Sequence, residues 1–95
     1  MSNSFAIRLR SLSKNALAVL IPAAGLRERD KRFLLAWYVE ELTIHQIAEL
    51  EHLQIESVYN AIAEARNRLR FILQNQLEVL PDNVKNIREY LIAKP

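Results

Sequence analysis

The chain has 95 residues, of which 51% are hydrophobic, 25% are charged and only one is glycine. This length allows one domain with one apolar core, which is too small to enclose a large active site. The absence of cysteine excludes disulfides, thiol nucleophiles and thiolate metal ligands. The formal net charge is +2, so any contact with nucleic acid depends on where the charges lie.

The charges are unevenly distributed along the chain. Residues 1–39 contain seven lysines and arginines and two acidic side chains, whereas residues 40–56 contain five acidic side chains and no lysine or arginine. Residues 57–75 contain three arginines and one glutamate, and residues 76–95 contain equal numbers of basic and acidic side chains. Such an asymmetry within a small domain is typical of a two-faced surface.

The N-terminal segment raises the question of a targeting signal. Residues 15–26 form an apolar stretch after three basic residues, which faintly resembles a signal peptide. However, Phe5, Leu9 and Leu12 begin a helical apolar spacing that favours a helix packed on a core. No apolar run is long enough to cross a membrane. We therefore expect a cytoplasmic protein without membrane contact.

The composition predicts an all-α fold. Good helix formers dominate, alternating β-branched runs are absent, and one glycine leaves few tight turns. Pro22 ends the first helix, and Thr43 with Gln46 forms the capping-box pattern that begins the third. We predict a single domain, residues 1–95, with helices over residues 4–20, 28–40, from 43 onward, 56–79 and 83–92.

The apolar periodicity predicts which positions are buried. In the third helix these are Ile47, Ala48 and Leu50. In the fourth helix they advance by three or four residues, through Val58, Ile62, Ala65, Leu69, Ile72, Gln76 and Leu80. In the fifth they are Val84, Ile87, Leu91 and Ile92. Phe33, Trp37 and Tyr38 form a broad stripe on the second helix, and we interpret them as core residues.

Residues 42–70 have the outline of a helix-turn-helix: a short capped helix, a turn of about four residues and a longer helix. Ala48 is small enough to let the two helices cross closely. Leu53 is predicted to fill the turn, while Val58 and Ile62 hold the second helix on the core. The opposite face of the second helix is then free to enter a major groove about 12 Å wide.

This segment resembles region four of bacterial sigma-70-type initiation factors, especially the extracytoplasmic-function group. The matching positions fall in ungapped register, and the similarity extends over residues 26–73. LuxR-type output domains share the outline and match nearly as well. The family's turn glycine is replaced by His52, which adopts the left-handed conformation less readily. The residues that carry the match are Leu42-Thr43, Gln46-Ile47-Ala48, Ser57-Val58 and Ala65-Arg66 followed by Leu69.

The resemblance implies a DNA-binding transcriptional regulator with no catalytic residues, metal or other cofactor. Asn60 would pair with adenine and Glu56 would accept from cytosine. The residues that would face the bases are Gln54, Glu56, Ser57, Tyr59, Asn60, Ala63 and Glu64. Those that would contact phosphates are Thr43, Arg66, Arg68 and Arg70. Because the family region docks on RNA polymerase, polymerase is a second expected partner beside double-stranded DNA.

A different class of function stays open, namely a protein–protein interaction module that binds RNA polymerase, a sigma factor or another regulator. The acidic segment 40–56 favours it, since carboxylates repel phosphates, and so does the lack of basic residues at Tyr59 and Ala61. The helix-turn-helix outline is also compatible with a scaffold that binds nothing.

Three further patterns have simpler interpretations. His45, Glu49 and His52 have helical spacing, but a turn after Glu51 should separate them, so we do not expect a metal site. The carboxylates lack a pocket or a nucleophile that would support acid–base catalysis. A basic face on the second helix is predicted to be solvated, although it offers an additional contact for the DNA backbone: Arg27, Arg29, Lys31 and Arg32.

The length of the fourth helix suggests a homodimer. Its apolar stripe is longer than one small core requires, and a second copy would cover the excess. The stripe consists of Ile62, Leu69, Ile72, Leu73, Leu77 and Leu80.

Overall fold

The computed structural model describes residues 4–75 and 82–92, and within these ranges every regular element is helical. The all-α prediction is therefore confirmed. A π-helical turn, Leu35–Val39, directly continues the third helix. The α-helices are α1 (Ser4–Ser11), α2 (Lys14–Ala23), α3 (Glu28–Leu34), α4 (Ile44–Glu51), α5 (Ile55–Asn75) and α6 (Asp82–Ile92).

The prediction of one helix over residues 4–20 is wrong, because the helix is interrupted between Ser11, where α1 ends, and Lys14, where α2 begins. Ser13 caps α2: its hydroxyl oxygen accepts a hydrogen bond from the Ala16 N–H at 3.1 Å. Pro22 lies inside the last turn of α2 instead of beyond its end. Proline removes the hydrogen bond to the carbonyl of Ala18, and both residues are exposed, so water can hydrate that carbonyl.

The other helix boundaries agree closely with the sequence. The predicted helix 28–40 corresponds to α3 and its π-helical continuation, which ends at Val39. Helix α5 begins at Ile55, one residue before the predicted start. It is described to Asn75, so the predicted end at Val79 lies outside the described residues.

Most of the buried side chains form one cluster, the main core, between α1, α2, α6, the end of α3 and the second half of α5. Its packing follows the spacing predicted for α5, since Ala65, Leu69 and Leu73 all face it. The cluster consists of Phe5, Leu9, Leu17, Leu20, Ile21, Ala24, Leu34, Ala65, Leu69, Leu73, Val84 and Leu91.

A second cluster, the small core, lies where α4 meets the first half of α5. It consists of Phe33, Ile47, Ala48, Val58 and Ile62. Leu50 was predicted to be buried here, but its side chain is 67% exposed. It lies on the outer face of the two-turn helix α4, whose inner face is already filled by Ile47 and Ala48.

The apolar stripe that suggested a homodimer is largely used inside the protein. Ile62 packs in the small core, while Leu69 and Leu73 pack in the main core. Ile72 is partly buried against the main core, and Leu77 and Leu80 lie outside the described residues. The described part of the stripe is therefore mostly covered within the protein.

Among the described residues, no helix combines the length and the apolar character needed to cross a membrane.

Candidate nucleic-acid interface

The connection between α4 and α5 is a tight turn formed by the backbone. His52 has the left-handed conformation, with φ 57° and ψ 44°. The Leu53 N–H donates to the Ala48 carbonyl at 2.9 Å, and the His52 N–H donates to the Glu49 carbonyl at 3.4 Å. This pair of bonds is a Schellman motif, and Leu53 packs against the small core as the motif requires. The turn therefore forms with a histidine at the left-handed position.

Helix α4 begins with the predicted capping box. The Gln46 N–H donates to Thr43 Oγ1 at 3.1 Å, and the Thr43 N–H donates to Gln46 Oε1 at 2.8 Å. Two backbone donors that a helix end normally leaves unpaired are thereby satisfied. The cap fixes where α4 begins. Two residues before the cap, the exposed carboxylate of Glu41 pairs with Lys14.

The predicted base-reading residues lie together on the outer side of α5 and the preceding turn. The side chain of Tyr59 is 67% exposed, and Ala63 is half-buried. On the opposite side, Val58 and Ile62 are buried in the small core. The face is therefore polar and open to solvent, and it contains these further exposed residues: Gln54, Glu56, Ser57, Asn60 and Glu64.

The four residues predicted to contact phosphates differ in their hydrogen bonds within the protein and in their exposure. The Thr43 hydroxyl oxygen accepts within the capping box. Arg66 donates from Nη1 to the Tyr38 hydroxyl at 3.3 Å. Arg68 donates from Nη1 to Asp30 Oδ1 at 2.9 Å, although 42% of its side chain stays exposed. Arg70 is exposed and makes no hydrogen bond or ion pair with the described residues.

Arg66 and Arg68 flank the polar face on its two sides. They are two positions apart in α5, with Asn67 between them, which places their side chains about 160° apart around the helix axis. Their partners lie in different elements, Tyr38 in the π-helical turn and Asp30 in α3. The two guanidinium groups therefore lie on opposite flanks of the polar face.

A buried carboxylate, missed by the sequence analysis, orients one of these arginines. Asp30 is 3% exposed and accepts from Arg68 at 2.9 Å and from Arg27 Nε at 3.3 Å. Burying a charge is unfavourable unless it is paired. Asp30 therefore fastens α3 to the middle of α5. The sequence gives no signal for it, because an aspartate in the first turn of a helix is usually solvated.

An ion pair between α3 and α4 is the second polar contact that the sequence did not reveal. Arg32 donates two hydrogen bonds of 2.7 Å to the carboxylate of Glu51. The hydrogen bonds from Arg32 hold the pKa of Glu51 below its ordinary value, and the same bonds raise the pKa of Arg32. This bidentate geometry is the strongest form of such a pair.

Most side chains of the basic face that was predicted as an additional DNA contact have partners within the protein. Arg27 pairs with Asp30, Lys31 with Glu28, and Arg32 with Glu51. Arg29 lies over the ring of Phe33, with its guanidinium carbon 5.4 Å from the ring centre. Of these contacts, only the ion pair between Arg32 and Glu51 joins α3 to another helix.

The acidic segment is partly neutralised as well. Glu41 and Glu51 have basic partners, whereas Glu40, Glu49 and Glu56 are exposed and form no ion pair within the described part of the chain. Over residues 4–75 and 82–92, no group of three His, Cys, Asp or Glu side chains is arranged to hold a metal ion.

Comparison of the chain with protein-family models, with curated proteins and with solved structures finds no match.

Proposed function

We propose that the protein is a DNA-binding transcriptional regulator that inserts the first turns of α5 into the major groove, as region four of sigma-70-type factors does. The observation that carries the proposal is the division of α5 into two faces. One face, with Val58 and Ile62, is buried, and the other is polar, exposed and adjacent to the tight turn. This division is the arrangement that a groove-reading helix requires.

The proposed roles follow from the chemistry of each side chain. Asn60 has a carboxamide that can pair with both exposed edge atoms of adenine, and Glu56 can accept from the amino group of cytosine. Arg66 and Arg68, on the two flanks of α5, would contact phosphates and fix the register. The protein would act by recognition alone, without catalysis, in the cytoplasm where its target is found.

The charge distribution predicts that the salt dependence is moderate. Arg66, Arg68 and Arg70 are the cations nearest the proposed face, and three phosphate contacts give a log–log slope of about −2.7. Affinity should then fall about 40-fold between 50 and 200 mM salt. A polybasic binder would lose several orders of magnitude over the same range.

The decisive experiment is selection of duplexes from a random library, followed by binding measurements at two salt concentrations. Asn60→Ala should relax the preference at one base pair, with a loss of about 1–3 kcal/mol there. Asn67→Ala is the matched control, because Asn67 is also exposed but lies about 10 Å further along the helix. Arg70→Gln should weaken binding to all sequences and make the slope shallower by about 1. An unchanged preference in Asn60→Ala would refute the proposed role of this face.

The alternative function is an interaction module that binds RNA polymerase, a sigma factor or another regulator. Two exposed apolar side chains beside the turn favour it, since Leu50 is 67% and Ile55 is 44% exposed. The polar face also contains two glutamates and no cation. Absence of DNA binding at low salt, together with capture of purified polymerase or sigma factor that Leu50→Ser abolishes, would favour this alternative.

Homodimerisation remains a separate proposal, and the described part of the stripe on α5 already packs within the protein. Sedimentation at tens of micromolar protein tests it, and a purely monomeric species would exclude it. If a dimer forms, its DNA half-sites should lie one helical turn or a multiple apart.

A further inference from the structure

A cavity of about 270 Å³ opens between α1 and α5, on one flank of the polar face. The π-helical turn forms its floor. Its principal lining residues are Ile7 and Arg10 from α1, Trp37 and Tyr38 from the π-helical turn, and Tyr59 and Arg66 from α5. The cavity lining overlaps the proposed DNA-contacting residues at Tyr59, Ala63 and Arg66.

The charge of the cavity is positive and uncompensated. Its lining includes Arg10 and Arg66 but no aspartate or glutamate. Arg10 makes no hydrogen bond or ion pair with any described residue. Arg66 is oriented by its hydrogen bond to the Tyr38 hydroxyl at 3.3 Å, which leaves its other N–H groups for an anion. Two arginines in such a position suit a carboxylate, whose planar geometry matches the guanidinium.

The remainder of the lining is apolar and aromatic. Trp37 and Tyr38 are only partly buried, and π-helical turns are frequent at functional sites. Tyr59 and Ile7 are each 67% exposed, so a large part of their apolar surface has no cover. Aromatic rings prefer offset or edge-to-face contacts with other rings, and the aromatic lining residues Trp37, Tyr38 and Tyr59 can make such contacts.

We infer that this cavity binds a small aromatic carboxylate, with the carboxylate between Arg10 and Arg66 and the ring against Trp37 and Tyr59. The volume matches a ligand of about a dozen non-hydrogen atoms, near the lower end of the range for ligand pockets. A second cavity of about 560 Å³ adjoins the first and shares Arg10, Trp37 and Tyr38 with it, which gives room for a longer substituent. The inference does not rest on DNA binding.

The test uses Trp37, which is the only tryptophan in the chain and therefore reports from the cavity itself. The full-length protein is titrated with 3-phenylpropanoate while Trp37 emission is recorded. A ligand of this size should bind with a Kd on the order of 0.1–1 mM. The matched ligand 3-phenylpropanamide has the same shape without the charge, and it should bind at least about tenfold more weakly, because charge-assisted hydrogen bonds to arginine are lost.

Two variants locate the carboxylate. Arg10→Gln and Arg66→Gln should each weaken 3-phenylpropanoate about tenfold or more, with circular dichroism confirming that the helices are retained. Arg29→Gln is the control, since Arg29 lies over Phe33 away from the cavity and should leave the Kd unchanged. The inference would be overturned by the absence of a saturable response, by equal affinity for the amide, or by a response that both cavity variants retain.

Discussion

Helix α5 passes through both apolar cores, and the two cores are stabilised in different ways. Among the described residues, twelve side chains are buried in the main core and five in the small core. Backbone and polar contacts border the small core, namely the capping box at Thr43, the turn at His52 and the ion pair between Arg32 and Glu51. Polar contacts such as the Ser13 cap also border the main core, but because the small core buries fewer side chains, the segment that presents the candidate interface depends relatively more on directional contacts.

This difference has a consequence for how the interface tolerates change. Apolar packing is roughly proportional to area and accepts substitutions of similar volume. Hydrogen bonds and caps depend on individual atoms and are lost completely when a partner is removed. The main core can thus vary while α5 stays in place, whereas the position of α4 relative to α5 depends on a few residues.

The largest effect is expected from the main core. Leu69 is fully buried, and Leu69→Ala should lower the free energy of unfolding by about 2–5 kcal/mol. Phe71 is two residues away on the same helix and 59% exposed, so Phe71→Ala should change it by about 0.5 kcal/mol or less. Urea unfolding followed by circular dichroism measures both. Equal losses in the two variants would contradict the faces assigned to α5.

An intermediate effect is expected where α3 is fastened to α5. Asp30→Ala removes the buried partner of Arg68 and Arg27 and should cost about 1–3 kcal/mol. Glu64 also approaches Arg68, at 4.0 Å, but it is exposed, so Glu64→Ala should cost about 0.5 kcal/mol or less. The same unfolding measurement separates them. If Asp30→Ala were as stable as the parent protein, the contact would not contribute to the position of α5.

The sequence predicted the apolar part of this fold well. The spacing of Val58, Ile62, Ala65 and Leu69 identified the buried face of α5, because helical periodicity is a local property of the chain. The break at Ser13 was missed, since the apolar spacing continues across it and the cap competes with the helix only through its side chain. Leu50 was misassigned for a related reason: a helix of two turns has too few positions for its periodicity to define a face.

The candidate interface was predictable only in part. Resemblance and periodicity placed Asn60, Glu56 and Tyr59 on one exposed face, which agrees with their exposure in the structure. They did not reveal that Arg68 would be paired with Asp30, or that Arg10 and Arg66 would line the same cavity. Both are contacts between elements distant in sequence. Because side chains that meet in this way share no spacing rule, tertiary packing decides them.

The smallest effect is expected from the pH dependence of the ion pair between Arg32 and Glu51, which joins α3 to α4. The pKa of Glu51 is lowered in the folded protein by the hydrogen bonds from Arg32, so the folded state binds this proton less readily than the unfolded state does. The pair therefore stabilises the protein at neutral pH, and that contribution should disappear as the pH falls below the ordinary glutamate value of about 4.5. Arg32 is half exposed, so the contribution is on the order of 1 kcal/mol or less.

Glu51→Gln isolates this contribution, because the amide keeps the size of the side chain and removes its titration. The difference in unfolding free energy between the parent protein and Glu51→Gln should be largest near pH 7 and shrink as the pH falls below about 4.5. Glu49→Gln is the control, since Glu49 is exposed in the same helix and forms no ion pair with the described residues. A constant difference from pH 7 to pH 3 would mean that Glu51 stabilises α4 by packing and not by its charge, and the polar fastening of the small core would then rest on the capping box and the turn alone.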